Sequence, residues 1–297
     1  MSSAPTDFIT NLQVIAEDGI TYQLYGGAPA RFIALDGVGI PPMRRILQKS
    51  PTQHGATDKG FRLEPRRMTL TLYIDADTTL QADAYRDALT NIFAPTNDPL
   101  RLRITKKDGS ERQIDCYLDG QIDYPMSSRI GASHAVVVPL VAPEPAFYNR
   151  FLWFQEVMMP TSPVEIAIAM TGCTWDDWPL FSVTGPITNF QIEHLVNTTS
   201  IDTLTLIGDI PAGELWEFNL RPQYKTLWKK VGSVGYNRMA YLDIATIGAF
   251  ATMRVLSDKS ARAYNTAAVS NRFVFTGSGL SATSKVIMYY YRRYLSL

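Results

Sequence analysis

The chain has 297 residues, 46% hydrophobic and 19% charged, with 28 basic and 28 acidic side chains. That length suits one large or two ordinary domains, and a charged share below the usual quarter favours a subunit that hides surface in an assembly. Each half of the sequence lies within one charge of neutral, which argues against a sequence-independent nucleic-acid binder, since that needs surplus Lys and Arg to displace counterions.

The start, Met1–Asp7, carries no basic stretch followed by an apolar one, and no apolar run approaches the ~18 residues of a membrane span. The expectation is a chain without membrane insertion, kept in a reducing cytoplasm or built into a particle assembled there. Its two cysteines, Cys116 and Cys173, would then be free thiols.

Along the chain, period two dominates. Pro41–Gly60 comes first and differs: prolines, glycines and polar residues without a period predict a long loop able to reach a neighbour. Met68–Ile74 places apolar residues on even positions with Thr or Tyr between, which predicts a half-buried strand. Thr79–Phe93 sets Leu80, Ala84, Tyr85, Ala88, Leu89, Ile92 and Phe93 at helical spacing, capped by Asp77, Thr78 or Thr79 and stopped by Pro95. Leu100–Thr105 and Gln113–Leu118 alternate again around Asp108-Gly109, which predicts a β-hairpin with Arg101 and Arg103 facing outward.

Prolines in Val141–Pro145 mark a boundary, giving expected domains 1–148 and 149–297. Phe147–Thr174 is read as a connection. Short strands then recur: Phe181–Thr184, Phe190–Leu195, Thr203–Ile207, Leu215–Leu220, Tyr241–Ile244, Ala251–Leu256, Arg272–Thr276 and Lys285–Tyr294. Such a series without strong helix signals predicts an antiparallel sandwich or jelly roll. The fold class is therefore mainly β, with one amphipathic helix in the first domain.

Catalytic and metal patterns are sparse. His54, His134 and His194 have no ligand at metal spacing and read as turn or strand residues. No G-x-S-x-G elbow occurs. Gly277-Ser278-Gly279 reads as a hairpin loop and not a dinucleotide site, because it opens no helix. Asp75 and Asp77 mark a strand end and a helix start. Asp176 and Asp177 beside Trp175 and Trp178 form the one sugar-like constellation, carboxylate acceptors with a stacking platform, set against the commoner buried junction tryptophan. Tyr289–Tyr294 reads as a final strand. No cofactor or metal site is expected, and no enzyme.

With chemistry absent, the order of motifs carries the argument. In the first half these are Gly19 and Tyr22, Pro51-Thr52-Gln53-His54-Gly55, Pro65-Arg66-Arg67 running into Met68–Ile74, the helix ending Phe93-Ala94-Pro95, the Leu100–Leu118 hairpin, and Val138–Pro145 with Phe147 and Tyr148. In the second half they are Trp178-Pro179-Leu180-Phe181, Thr184-Gly185-Pro186, Leu204–Ile207, Ile210–Glu214, Gly235-Tyr236-Asn237 and Tyr290–Tyr294. Over most of its length the chain resembles the distal tail protein family of siphophages, least so over residues 151–174. The resemblance implies a ring-forming first domain and a galectin-like second one. It also implies a homohexameric ring in the virion between the tail tube protein and the tail-tip hub protein, holding receptor-binding components. Phage DNA would pass through its lumen without sequence-specific binding.

For subunit contacts the candidates are Arg66, Arg67, His54, Arg101 and Arg103, with the Pro41–Gly60 loop. The competing reading is a carbohydrate-binding module recognising host glycans, with Trp175 and Trp178 as stacking residues. It loses its platform if Trp175, Trp178, Trp216 and Trp228 are all buried. A hydrolase reading lacks a convincing carboxylate pair.

Overall fold

The computed structural model describes residues 9–25, 28–49, 54–125, 132–222, 224–261 and 270–297. Contacts divide the chain into Met1–Arg150 with Leu295–Leu297, and Phe151–Tyr294. The second unit is thus inserted near the C-terminal end of the first.

The first unit runs β1 (Ile9–Ile15), β2 (Thr21–Gln23), β3 (Arg31–Asp36), β4 (Met43–Gln48), β5 (Thr57–Leu63), β6 (Arg66–Ile74), α1 (Thr79–Ile92), β7 (Leu100–Lys106), β8 (Glu111–Leu118), β9 (His134–Ala142) and β10 (Phe147–Asn149). Its main sheet has the order β2-β1-β7-β8-β9-β6-β3, and β10 pairs with β8. Alternation explains the core: β6 buries Met68, Leu70, Leu72 and Ile74, β7 buries Leu100, Leu102 and Ile104, and β9 buries Val136, Val138 and Leu140. Each such side chain contributes about 1.5–3 kcal/mol when taken out of water. The expected hairpin is β7–β8, with Leu102 opposite Ile114 and Gly109 at φ +77° in its turn. Helix α1 is capped as expected: the Thr78 hydroxyl accepts from Gln81 N at 3.2 Å. It buries Ala82, Leu89 and Ile92, whereas Leu80, placed on the apolar face by its spacing, is 80% exposed in the first turn.

The second unit runs β11 (Trp153–Met158), β12 (Val164–Ile168), β13 (Leu180–Thr184), β14 (Ile187–Val196), β15 (Thr199–Thr205), β16 (Asp209–Ile210), β17 (Leu215–Asn219), β18 (Thr226–Val231), β19 (Val234–Asn237), β20 (Asn271–Ser278), β21 (Lys285–Tyr290) and β22 (Arg293–Tyr294). One sheet has the order β11-β21-β13-β17-β18-β19 and the other β12-β20-β14-β15, with β16 on β14. Phe181, Trp216, Phe218 and Met288 from the first sheet share one core with Phe190, Ile192, Phe273 and Phe275 from the second. This makes an antiparallel sandwich. Phe190 and Phe275 stack with centroids 6.2 Å apart.

Three local expectations are corrected. Phe147–Thr174 is not a bare connection but carries β10, β11 and β12. Tyr241–Ile244 is not a strand: Tyr241 ends a 3-10 turn from Met239, Leu242 bridges alone to Leu206, and a turn follows in which the Asp243 carboxylate accepts from Ala245 N and its carbonyl from Thr246 N, each at 3.0 Å. Ala251–Leu256 begins in a short helical turn, Ala249–Thr252, with Val255 alone bridging to Asp177.

His194 lies fully buried on β14, its ring stacked 4.3 Å from that of Phe273 and its Nε2 3.1 Å from Asn271 Oδ1. Burial lowers its pKa from 6.5 to about 4, against a raising hydrogen bond from Asn271 and with the Arg254 charge adding to the decrease. The unfolded chain therefore takes up a proton near 6.5 that the folded chain refuses until about 4. Stability from this residue is complete above 6.5 and lost as pH falls through that window, by about 3 kcal/mol. Urea midpoints measured from pH 7 to 4 should show this decrease, and His194→Gln should remove that part of it. An unchanged slope in the variant would contradict the assignment.

Candidate functional site

The strands β4 and β5 form a separate two-stranded sheet, paired from Met43↔Leu63 to Gln48↔Thr57 with an irregularity between Arg45 and Leu47. The expected Pro41–Gly60 loop is therefore a hairpin arm, and its tip residues 51–53, part of the Pro51–Gly55 motif, lie outside the described residues. Every residue of β4 is exposed. Ile40 is 72% exposed and Leu47 59%, joined by Met43, Ile46 and Phe61. Arg44, Arg45 and Arg62 lie among them around a shallow depression. Arg45 pairs with Asp58, and Arg62 Nε donates to Glu64 Oε1 at 3.0 Å. Among the described residues these two strands form a sheet of their own. A lone hairpin is marginally stable in water, and open strand edges are templates for another chain. No period marks this stretch because its residues are mostly exposed on both faces, so nothing selects alternation.

His54 is exposed beside the arm's tip. Arg67 is also exposed and sits 3.5 Å from Asp119. Arg101 and Arg103 lie on the outward face of β7 as expected. Arg101 Nε donates to Asp115 Oδ1 at 2.7 Å. Burial pulls its pKa down, but Asp115 and Tyr148 outweigh it and hold the guanidinium above its ordinary value. Arg103 donates to Gln13 Oε1 at 3.3 Å, and burial, then the Arg150 charge, lower its pKa.

Arg66 is different and is corrected as a surface contact: its accessible surface is 0%. Nε donates to Pro145 O at 2.8 Å, Nη1 to Gly37 O and Gly39 O at 2.6 Å each, and Nη2 to Leu295 O at 2.7 Å. The guanidinium also lies 4.7 Å from the Phe147 ring centroid. Among the described residues no carboxylate pairs with it, and burial lowers its pKa to about 10, so it stays charged at neutral pH. Gly37 is required there: at φ +82° its Cβ would stand 2.2 Å from Arg67 O. The tail is held further by Leu297 N donating to Val38 O at 3.1 Å and by Arg112 donating to Ser296 O.

In the second unit Asp176 and Asp177 are buried, at 5% and 0%, and are therefore corrected as sugar acceptors. Asp177 accepts from Tyr291 N at 2.6 Å and from Arg293 Nε. Asp176 accepts from Ser257 N at 2.8 Å and faces Arg254 Nε at 3.1 Å. Trp216 is buried, while Trp175, Trp178 and Trp228 are only partly buried, so the four are not all lost as stacking residues. His134 and His194 are strand residues, and Gly277–Gly279 lies at the turn between β20 and β21. Burial raises the Cys116 thiol to about 12 and the Cys173 thiol to about 11, and both are free. No group of metal-ligating side chains is found among the described residues.

Residues 31–134 match the family model described as phage tail protein RIFT-related domain. The architecture is mainly β, and the match is to a domain of phage tail proteins. It is similar to the Dit protein (gp 19.1) of phage SPP1, whose crystal structure is described as a paradigm of the hub adsorption apparatus in phages infecting Gram-positive bacteria. That similarity has TM-score 0.64 and 12% identity over 95% of this chain and 99% of that one. Chains of the phage P2 baseplate in its activated conformation, solved with Ca and with Sr, are similar at TM-score 0.52 and 7% identity over 97% of this chain and 99% of theirs. At these identities the likeness is one of fold. No curated protein matches the chain. The distal tail resemblance read from the sequence thus holds, by a family-model match over 31–134 and by fold over nearly the whole chain.

Proposed function

We propose that this chain is a distal tail protein of a long-tailed phage, forming a hexameric ring that joins the tail tube to the tail-tip hub and carries receptor-binding components around a DNA-conducting lumen. The observation that carries this reading is the β4–β5 arm. It has exposed apolar side chains, two strands that among the described residues pair in a sheet only with each other, and several arginines, features that a solitary protein blunts and that packing against an adjacent copy would cover. Identical head-to-tail contacts close into a ring when the rotation permits. The fold shared with the SPP1 Dit protein supports the same reading. Arg67, His54, Arg101 and Arg103 remain proposed contact residues on this account. The ring would be part of the virion, assembled in the bacterial cytoplasm.

Light scattering coupled to size exclusion should give a mass near six chains for the full protein. Replacing residues 43–63 with a short Gly-Ser turn should yield a folded monomer with an unchanged far-ultraviolet spectrum per residue outside the deletion. A wild-type protein that stays monomeric at high concentration in all salts would reject the ring. A hexamer that survives the deletion would reject the arm as its fastening.

A further inference from the structure

A pocket of about 330 Å³ opens on the second unit, lined by Trp178, Ile201, Asp202, Thr252, Arg254 and Leu256 among others. Its size is at the small end for ligand sites, and its lining combines an aromatic with a few polar groups. We infer that it binds an uncharged sugar ring, with Trp178 under the C–H face and Asp202 and Arg254 on the hydroxyl edge.

The frame around the pocket is rigid. Asp177 and Val255 exchange backbone hydrogen bonds at 3.1 and 2.7 Å, and Asp176 accepts from Ser257 N, so the Trp178 segment is stitched to the Arg254 segment. The Trp178 ring packs against the core and has the Arg293 guanidinium 6.0 Å from its centroid. A platform fixed in this way loses little entropy on binding. The Thr252 hydroxyl donates to Asp202 Oδ1 at 2.6 Å, which orients that carboxylate and leaves Oδ2 to accept from a ligand. Arg254 spends Nε on Asp176 at 3.1 Å while its side chain stays 46% exposed, so its outer nitrogens can donate.

Charge selects the ligand class. The pocket lining holds one guanidinium and one carboxylate, Arg254 and Asp202, and the buried Asp176 behind Arg254 offsets part of its charge. With one charge of each sign in the lining, Asp202 disfavours phosphates, sulfates and acidic sugars, while Arg254 opposes amines. What remains is a neutral molecule with an apolar face and an edge of groups that both donate and accept, which describes a pyranose. This inference concerns the second unit alone and does not depend on ring formation.

The test uses the full chain in calorimetric titrations with the methyl glycosides of glucose, galactose, N-acetylglucosamine and rhamnose. N-acetylneuraminic acid and glucosamine serve as charged comparators. At least one neutral glycoside should bind saturably, and Asp202→Ala should weaken it about tenfold or more with an unchanged melting temperature. Trp178→Phe should weaken the same ligand. The inference is overturned if no neutral probe saturates up to about 50 mM, if a charged comparator binds more tightly, or if the folded Asp202→Ala protein binds like wild type.

Discussion

Arg66→Met should cost the folded protein about 3–5 kcal/mol, because it removes a buried cation's whole donor set and leaves its acceptors without partners. Four backbone carbonyls depend on this one side chain, from Gly37, Gly39, Pro145 and Leu295. They come from three distant stretches of the first unit, so the loss is not local. Arg66→Lys should recover only part of the loss, since an ammonium cannot span acceptors laid out for a planar fork. The adjacent Arg67→Met is the control: that side chain is 82% exposed, and its replacement should change stability by less than about 0.5 kcal/mol. Urea unfolding of the three variants checks the order. Carboxypeptidase digestion adds a second readout, because the Arg66 variants should release Leu297 faster than wild type. Equal midpoints for the Arg66→Met and Arg67→Met proteins would refute the latch.

Asp177→Asn should be comparably severe in the second unit, at about 3–5 kcal/mol. The carboxylate is fully buried and holds both the Arg293 guanidinium and the Tyr291 amide, and Arg293 itself is 7% exposed. Neutralising the acid leaves a desolvated cation with a weaker partner. Replacing both residues by apolar ones, Asp177→Leu with Arg293→Met, should be milder than the single change, because no uncompensated charge then remains. Thermal unfolding of the single and double variants checks the ordering. A double variant less stable than Asp177→Asn would show that the pair acts through geometry and not through charge compensation.

These two arginines mark where reading from sequence stops. Arg66 and Arg67 are adjacent at a strand start; the even-position alternation of β6 puts Arg66 on the inward face, but its charge marks it in the sequence as a surface residue. What makes its burial tolerable is that the carbonyls of Gly37, Pro145 and Leu295 arrive there, at separations of 29, 79 and 229 residues. Likewise the pair Asp176-Asp177 beside Trp178 was visible as an acid–aromatic cluster. Its acids turned out to be consumed by Ser257, Tyr291 and the arginines Arg254 and Arg293, while the open acid of the pocket, Asp202, comes from β15.

The sequence alone determined the strands that have one face in a core, the Thr79–Ile92 helix with its Thr78 cap, the β7–β8 hairpin and the absence of a strong net charge. Each of these is written in local order, as period two, period 3.6, a turn dipeptide or a sum of charges. Only the tertiary structure decided that Pro41–Gly60 is an exposed arm, that Ala251–Leu256 is not a strand, and which polar groups are buried together. The arm has solvent on both faces and so no selected period. Buried polar partners meet across long separations, and local pattern carries no record of them.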